Sequence, residues 1–319
     1  MNRITAPMAG LMASLAGAAV ADPHDCEATV SPSVQAEIEA AIGLPIYHND
    51  VVVPQDLDVI CQDRFCAQFS EPARGPIWVV ERLTPAIVTG DHKRPKSEKW
   101  RHDANIDPSI DTVKDEEYKN SGYSRGHMAA SSDFKCSEAW MRQTFRFSNA
   151  VPQVQNGFNG AIWSTLENRV KKLATLRDEI YVITGPVPLR PDGAETVISR
   201  ARNGCGQDVI LAGLSKLGKR ELCNASDKTP SAACLKGIDV PSGLFKIVFD
   251  PSNDRRFGFV LSNEDHTPFR GGETSDEYLE RWRVSLDVIE ELTSLEFFPV
   301  FNARANRVAG NNCTVTTWR

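Results

Sequence analysis

A chain of 319 residues with 36 Lys+Arg against 42 Asp+Glu carries a formal net charge of −6, so no overall basicity announces a polyanionic ligand. Any nucleic-acid partner would have to be met by locally concentrated positive charge. With 41% hydrophobic residues the chain can bury a sizeable core, and beyond the first twenty residues no run is long and apolar enough to cross a bilayer.

The start reads Met-Asn-Arg, an apolar run from Ile4 to Val20, and Ala19-Val20-Ala21 before Asp22. A basic start, an apolar middle and an A-x-A site predict a cleavable signal over 1–21 and a periplasmic or secreted location. Residues 22–70 are expected to form an extension with a short helix around Val34–Ile42 and the apolar Val51–Val53. From 71 to 319 the pattern tightens into a predicted catalytic domain. Strands are expected at Ile77–Val80, Ile180–Ile183, Phe245–Phe249 and Phe257–Leu261, from short apolar, β-branched and aromatic runs. Helices are expected over Ala161–Leu176, where Ile162, Leu166, Val170 and Leu173 recur at helical spacing, and near Ser285–Leu292. Residues 189–236, rich in Gly, Ser, Asp and Cys, read as an insertion. Strands on both sides of a central helix point to one α+β domain with an antiparallel or mixed sheet flanked by helices.

The chain holds eight cysteines. An even number after an apparent export signal suggests disulfides, and the spacings lack the paired CxxC of structural zinc. Local bridges at Cys61–Cys66 and Cys223–Cys234 are the expected pairings. Positive charge gathers between Lys93 and Arg101, where Lys93, Arg94, Lys96, Lys99 and Arg101 face only Glu98, and again at Arg169, Lys171, Lys172 and Arg177. Each run alone is equally a solvated face.

Chemistry concentrates in Ser121-Gly122-Tyr123-Ser124-Arg125-Gly126-His127-Met128-Ala129, in Ser148-Asn149-Ala150-Val151-Pro152-Gln153, and in Phe158-Asn159-Gly160 through Glu167. Hydrolysis of a phosphodiester needs a base for water, a cation against transition-state charge and help for the leaving oxygen. His127 can accept a proton near neutral pH. Arg125 can grip a phosphate oxygen with its planar fork, or pair with a surface acid. Asn159 offers a hard carbonyl oxygen suited to Mg2+, or a helix cap. Glu167 lies eight residues on, about 12 Å along a helix, so it orients a metal-bound water more readily than it shares the ion.

These segments resemble the DNA/RNA non-specific endonuclease family, the ββα-metal nucleases that include the mitochondrial endonuclease G type. Val80-Glu81-Arg82-Leu83, Val182 to Pro186, Val284 to Glu290 and Phe297-Phe298-Pro299 extend the likeness over roughly 75–300. The resemblance implies a ββα core and a metal-dependent phosphodiesterase that cleaves DNA and RNA with little sequence preference, which the apparent signal would make an exported one. It implies His127 as general base, Asn159 as the Mg2+ ligand with Mn2+ as a substitute, Glu167 beside the metal, and Asn149 supporting the histidine. Besides DNA and RNA, a second copy of the chain and a protein inhibitor are the partners left open; no membrane is expected.

Ser124 stands where most of the family has Asp, which leaves endo against exo attack open, and it is expected to tune the position of Arg125 and His127. Glu98 stands where an Arg is common, so Arg94, Lys96 or Lys99 would have to supply that cation. Two rival readings remain. Gly122 to Gly126 also spells GxSxG, with Asp250 and His266 following in the order of a serine hydrolase, although the flanks lack the strand-to-helix context of that elbow. The other is a catalytically silent nucleic-acid binder.

Overall fold

The computed structural model describes residues 33–48, 57–188, 196–199, 208–211, 238, 240–267 and 274–305. Its centre is a seven-stranded antiparallel sheet. In chain order the strands are Leu57–Cys61 (β1), Phe65–Ser70 (β2), Gly75–Leu83 (β3), Ile180–Val187 (β6), Gly243–Asp250 (β7), Arg255–Ser262 (β8) and Arg283–Val284 (β9). They lie in the spatial order β9-β8-β7-β6-β3-β2-β1. A separate hairpin pairs Tyr123–His127 (β4) with Ala150–Val154 (β5).

Each strand turns alternate side chains to opposite faces of a sheet that is buried on both. One layer packs Val34, Ile38 and Ile42, from helix α1 (Val34–Ala41) and its end, against Trp78, Val80, Ile183, Phe245 and Ile247, together with Leu286, Val288 and Ile289 at helix α3 (Leu286–Thr293). The other packs Leu166, Val170 and Leu173 of helix α2 (Ser164–Ala174) against Val79, Leu83, Val182, Leu244 and Val248. Met128, Val151 and Phe158 join that second layer, so the β4–β5 hairpin sits on the same face as α2. Burial on both faces explains why the central strands read as continuous apolar runs rather than alternating ones.

The four predicted strands fall within β3, β6, β7 and β8, and the α+β class holds. The predicted helix over Ala161–Leu176 is corrected at its start. A widened π-type turn spans Gln155–Trp163, with non-helical backbone at Asn156 and Gly157, and regular helix begins at Ser164. Periodicity cannot see this, because Ile162 and Leu166 keep helical spacing through the wide turn. Residues 57–70, expected in an extension, instead supply two strands of the main sheet. Within the expected insertion, Thr196–Ile198 and Val209–Leu211 form a short antiparallel ribbon whose Ile198, Val209 and Leu211 reach the core. The Cys61–Cys66 bridge is present, at the β1–β2 turn. Cys136 is disulfide-bonded too, and among the described residues no cysteine is free. The expected signal, Val51–Val53 and the Cys223–Cys234 pair lie outside the described residues.

Gly157 takes φ of 74°, and a Cβ there would sit 1.8 Å from Asp265 Oδ1. Gly157→Ala therefore combines left-handed strain with a collision, at a cost on the order of 1–3 kcal/mol. Thermal denaturation should show a lowered midpoint, and an unchanged midpoint would mean that the wide turn relaxes freely.

Candidate active site

The register of the β4–β5 hairpin fixes the site. Ser124 faces Gln153 across the ladder, Arg125 faces Pro152, and His127 faces Ala150. After Val154 the chain enters the wide turn that carries Asn159 and then α2 with Glu167. Hairpin and helix thereby enclose an open cleft of about 540 Å³ lined by Arg94, Trp100, Ser124, Arg125, His127, Asn159 and Glu167, among others. Gly126 is required between the two polar positions, since a Cβ there would fall 1.9 Å from Gln153 Cδ.

His127 is 8% exposed, and its ring packs 4.5 Å from Trp100 and edge-on to Phe145 at 4.8 Å. Burial, and after it the positive charge of Arg94, push its pKa down to about 3, so the imidazole is neutral at ordinary pH. Its Nε2 is buried without a hydrogen-bond partner. Such an atom is either a standing cost or a group that waits for a ligand.

Asn149 does not face the cleft. Its Oδ1 accepts from Ala129 N at 2.8 Å, and its Nδ2 donates to the carbonyls of Ala129 at 3.0 Å and Thr144 at 2.9 Å. These bonds, with Met128 N donating to Asn149 O, clamp the chain just after His127. Asn149 was expected to support His127, and its amide braces the backbone beside that residue.

Asn159 donates from Nδ2 to Ser124 Oγ at 2.8 Å and to Gln155 Oε1 at 3.3 Å. Ser124 thus touches Asn159 rather than tuning Arg125 or His127 as expected. Glu167 lies at the floor of the same cleft, its pKa raised to about 7 chiefly by burial, with Lys246 acting against it and Asp133 with it.

Beneath Glu167 is a buried polar group that sequence reasoning missed. Lys246 on β7 is 1% exposed and donates to Thr184 Oγ1 at 2.6 Å. Glu81 on β3 is 1% exposed, and burial, then Asp133, raise its pKa well above the carboxylate range. Asp133 is raised to about 6 by burial, with Lys171 and Lys246 opposing. The readable signal was charge inside each of two otherwise apolar strands, Glu81 and Arg82 in Val-Val-Glu-Arg-Leu and Lys246 in Phe-Lys-Ile-Val-Phe.

Of Arg94, Lys96 and Lys99, expected to supply the cation that Glu98 replaces, Arg94 alone lines the cleft, its guanidinium 5.2 Å over the Phe145 ring. Lys96 and Lys99 are exposed and do not line it. Glu98 is turned into ion pairs with Arg101 at 2.7 Å and with Arg142, its side chain 2% exposed, so it puts no acid against a substrate. Arg125 reaches the rim and donates from Nη2 to Asp115 O at 2.8 Å. Its Nε lies 2.7 Å from Asp115 Oδ1, close enough for an ion pair but not aligned as a hydrogen bond.

The serine-hydrolase arrangement is not assembled. Ser124 Oγ donates to Gln153 O at 3.0 Å. His266 is 3% exposed and engaged on both sides, with Ser262 O and Tyr278 Oη each at 2.7 Å. Asp250 pairs with Arg177 at 2.7 Å. Each intended triad member is satisfied by neighbours of its own.

A hairpin running through a wide turn into a helix, with a histidine on one and an asparagine on the other, makes this an α+β protein of the ββα type. The chain belongs to the DNA/RNA non-specific endonuclease family, whose sequence profile matches residues 43–303. Among similar proteins, the mitochondrial nuclease EXOG of Homo sapiens is 29% identical over 260 residues, covering 81% of this chain and 61% of that protein. Nuclease C1 of Cunninghamella echinulata var. echinulata is 26% identical over 267 residues, covering 82% of this chain and 89% of that protein. The EXOG of Danio rerio is covered over 62% of its length, so this chain spans about three-fifths of these EXOG relatives. The solved EndoG/EndoGI complex shares the fold at a TM-score of 0.63 and 23% identity, covering 90% of this chain and 100% of that one. The expected periplasmic or secreted location is corrected by these comparisons, since the EXOG relatives are mitochondrial nucleases. A basic start and a small-residue site after an apolar run do not by themselves fix a compartment.

A histidine held neutral by burial adds stability that is complete above its unfolded pKa, near 6.5, and is lost as pH falls toward 3. The gap in thermal midpoint between wild type and His127→Gln should shift against wild type as pH is lowered from 7 to 4. A gap that stays constant over that range would show that the ring is not held neutral.

Proposed function

We propose that this protein hydrolyses phosphodiester bonds in DNA and RNA with little sequence preference, using His127 as general base and a divalent cation held by Asn159. One observation carries the reading: a neutral imidazole with an unpartnered Nε2 and an asparagine whose amide nitrogen is tied back open into the same cleft. His127 accepts the proton of the attacking water at Nε2. Arg94 and Arg125 at the rim meet the phosphate, and the phosphate's charge in turn offsets the Arg94 field that weakens His127 as a base.

The donor set fits a hard cation. Asn159 Oδ1 makes no hydrogen bond among the described residues, and the Glu167 carboxylate shares the cleft, so Mg2+, or Mn2+ in its place, would be held by few protein oxygens. When bound, such an ion supplies Lewis-acid stabilisation of charge that develops on the phosphoryl oxygens. Glu167 lines the same cleft and, when ionised, would orient a water there by accepting its hydrogen bond. Burial raises the Glu167 pKa, and both Lys246 and the incoming positive charge favour its ionised form.

The test is cleavage of supercoiled plasmid, single-stranded DNA and RNA, with and without EDTA, by wild type and His127→Ala. Wild type should cut all three only without EDTA, and His127→Ala should lose about 10^2- to 10^4-fold in rate while keeping its fold by circular dichroism. Wild-type turnover by His127→Ala would remove the histidine from the mechanism, and cutting that ignores EDTA would remove the cation.

A further inference from the structure

We propose that Ser124 is the positioning residue that sets the Asn159 amide so that its oxygen, rather than its nitrogen, faces the cleft. This rests on the reading of Asn159 as the cation-holding side chain.

The argument is one of donor count. A serine hydroxyl has a single proton. That of Ser124 goes to Gln153 O at 3.0 Å, and a carbonyl oxygen can only accept. Toward any other neighbour Ser124 Oγ must therefore act as acceptor. The atom of Asn159 that lies 2.8 Å away must then be the N–H-bearing nitrogen, because an amide oxygen there would meet lone pairs alone. Gln155 Oε1, 3.3 Å from the same nitrogen, adds a second acceptor on that side. A planar amide tied by its nitrogen leaves its oxygen directed away from both.

The hairpin makes the device rigid. Ser124 and Gln153 are direct partners across the β4–β5 ladder, so the hydroxyl is anchored on the carbonyl of its own cross-strand neighbour. Asn159 is 35 residues away in sequence, on the wide turn, and this bond joins the two halves of the cleft. An aspartate in this place would also accept from the Asn159 amide but could not donate to Gln153 O. Serine satisfies both contacts without adding a charge beside the cation site.

The experiment uses Mn2+ alone as probe, with its dissociation constant read from the electron paramagnetic resonance signal of the free ion. The proteins are wild type, Ser124→Ala, Ser124→Thr, Asn159→Ala and the Ser124→Ala/Asn159→Ala double variant. Loss of one neutral hydrogen bond should weaken Mn2+ binding about 2- to 10-fold in Ser124→Ala. Ser124→Thr should restore it, and Ser124→Ala should add nothing in the Asn159→Ala background. Unchanged affinity in Ser124→Ala, or equal weakening in both backgrounds, overturns the proposal. If Asn159→Ala binds Mn2+ as wild type does, the cation-holding role of Asn159 falls, and the proposal with it. Should Ser124→Ala fold poorly, the isosteric pair Ser124→Thr and Ser124→Val, both suited to a strand, makes the same comparison with only the hydroxyl changed.

Discussion

The antiparallel register of the β4–β5 hairpin is the constraint on which the rest of the site depends. In a strand, a shift of one residue exchanges the two faces. A slip here would turn Arg125 and His127 out of the cleft and break the Ser124 contact to Asn159. Three features hold the register. Gly126 leaves room for the Gln153 side chain, Ser124 bonds its partner's carbonyl, and Asn149 ties the backbone at Ala129 and Thr144. The last of these sits where β4 ends, next to His127, so backbone bonds fix the main chain there while Trp100 and Phe145 pack against the imidazole.

The second constraint is the placement of charge under the cleft. A sheet buried on both faces ordinarily carries apolar residues alone, yet Glu81 and Lys246 occupy its central strands on the face toward α2. Burying one such charge would be strongly unfavourable, and gathering acids and a lysine in one place offsets much of that penalty. Glu167 and Asp133 are the upper members of this cluster. Their pKa values are raised chiefly by burial, against the opposing charge of Lys246 and Lys171, and a cation at Asn159 would add to that opposing charge. The sheet therefore acts on the site as a source of field as well as a platform.

Much of this was legible in the residues. Short β-branched and aromatic runs located the central strands, because strands buried on both faces leave no polar alternation to confuse them. His127, Asn159 and Glu167 could be singled out because their residue types suit proton acceptance and hard-oxygen coordination and because the segments that carry them resemble those of the DNA/RNA non-specific endonuclease family. Other features were hidden for physical reasons. Leu57–Ser70 is short, with a disulfide at its turn, and read as an extension. Lys246 passes unremarked inside the Phe245–Phe249 run, since its burial depends on which face of which strand meets α2. Lys96 and Lys99 could not be told from Arg94 by charge density, and only the path of the chain past Phe145 sets the arginine against the cleft. Asn149 was expected beside His127, but that its amide bonds the backbone at Ala129 and Thr144 is a detail that spacing does not carry.

The central claim is that the His127 imidazole itself takes the proton of the attacking water, and chemical rescue tests it most directly. His127→Gly opens a cavity beside Trp100 and Phe145, and imidazoles of graded basicity can be added to it during DNA cleavage. The account predicts that activity returns in proportion to the unprotonated imidazole and rises with imidazole pKa, as expected for proton transfer in the rate-limiting step. Rescue that is independent of imidazole pKa, or none at any concentration in a variant that still binds DNA, would contradict it.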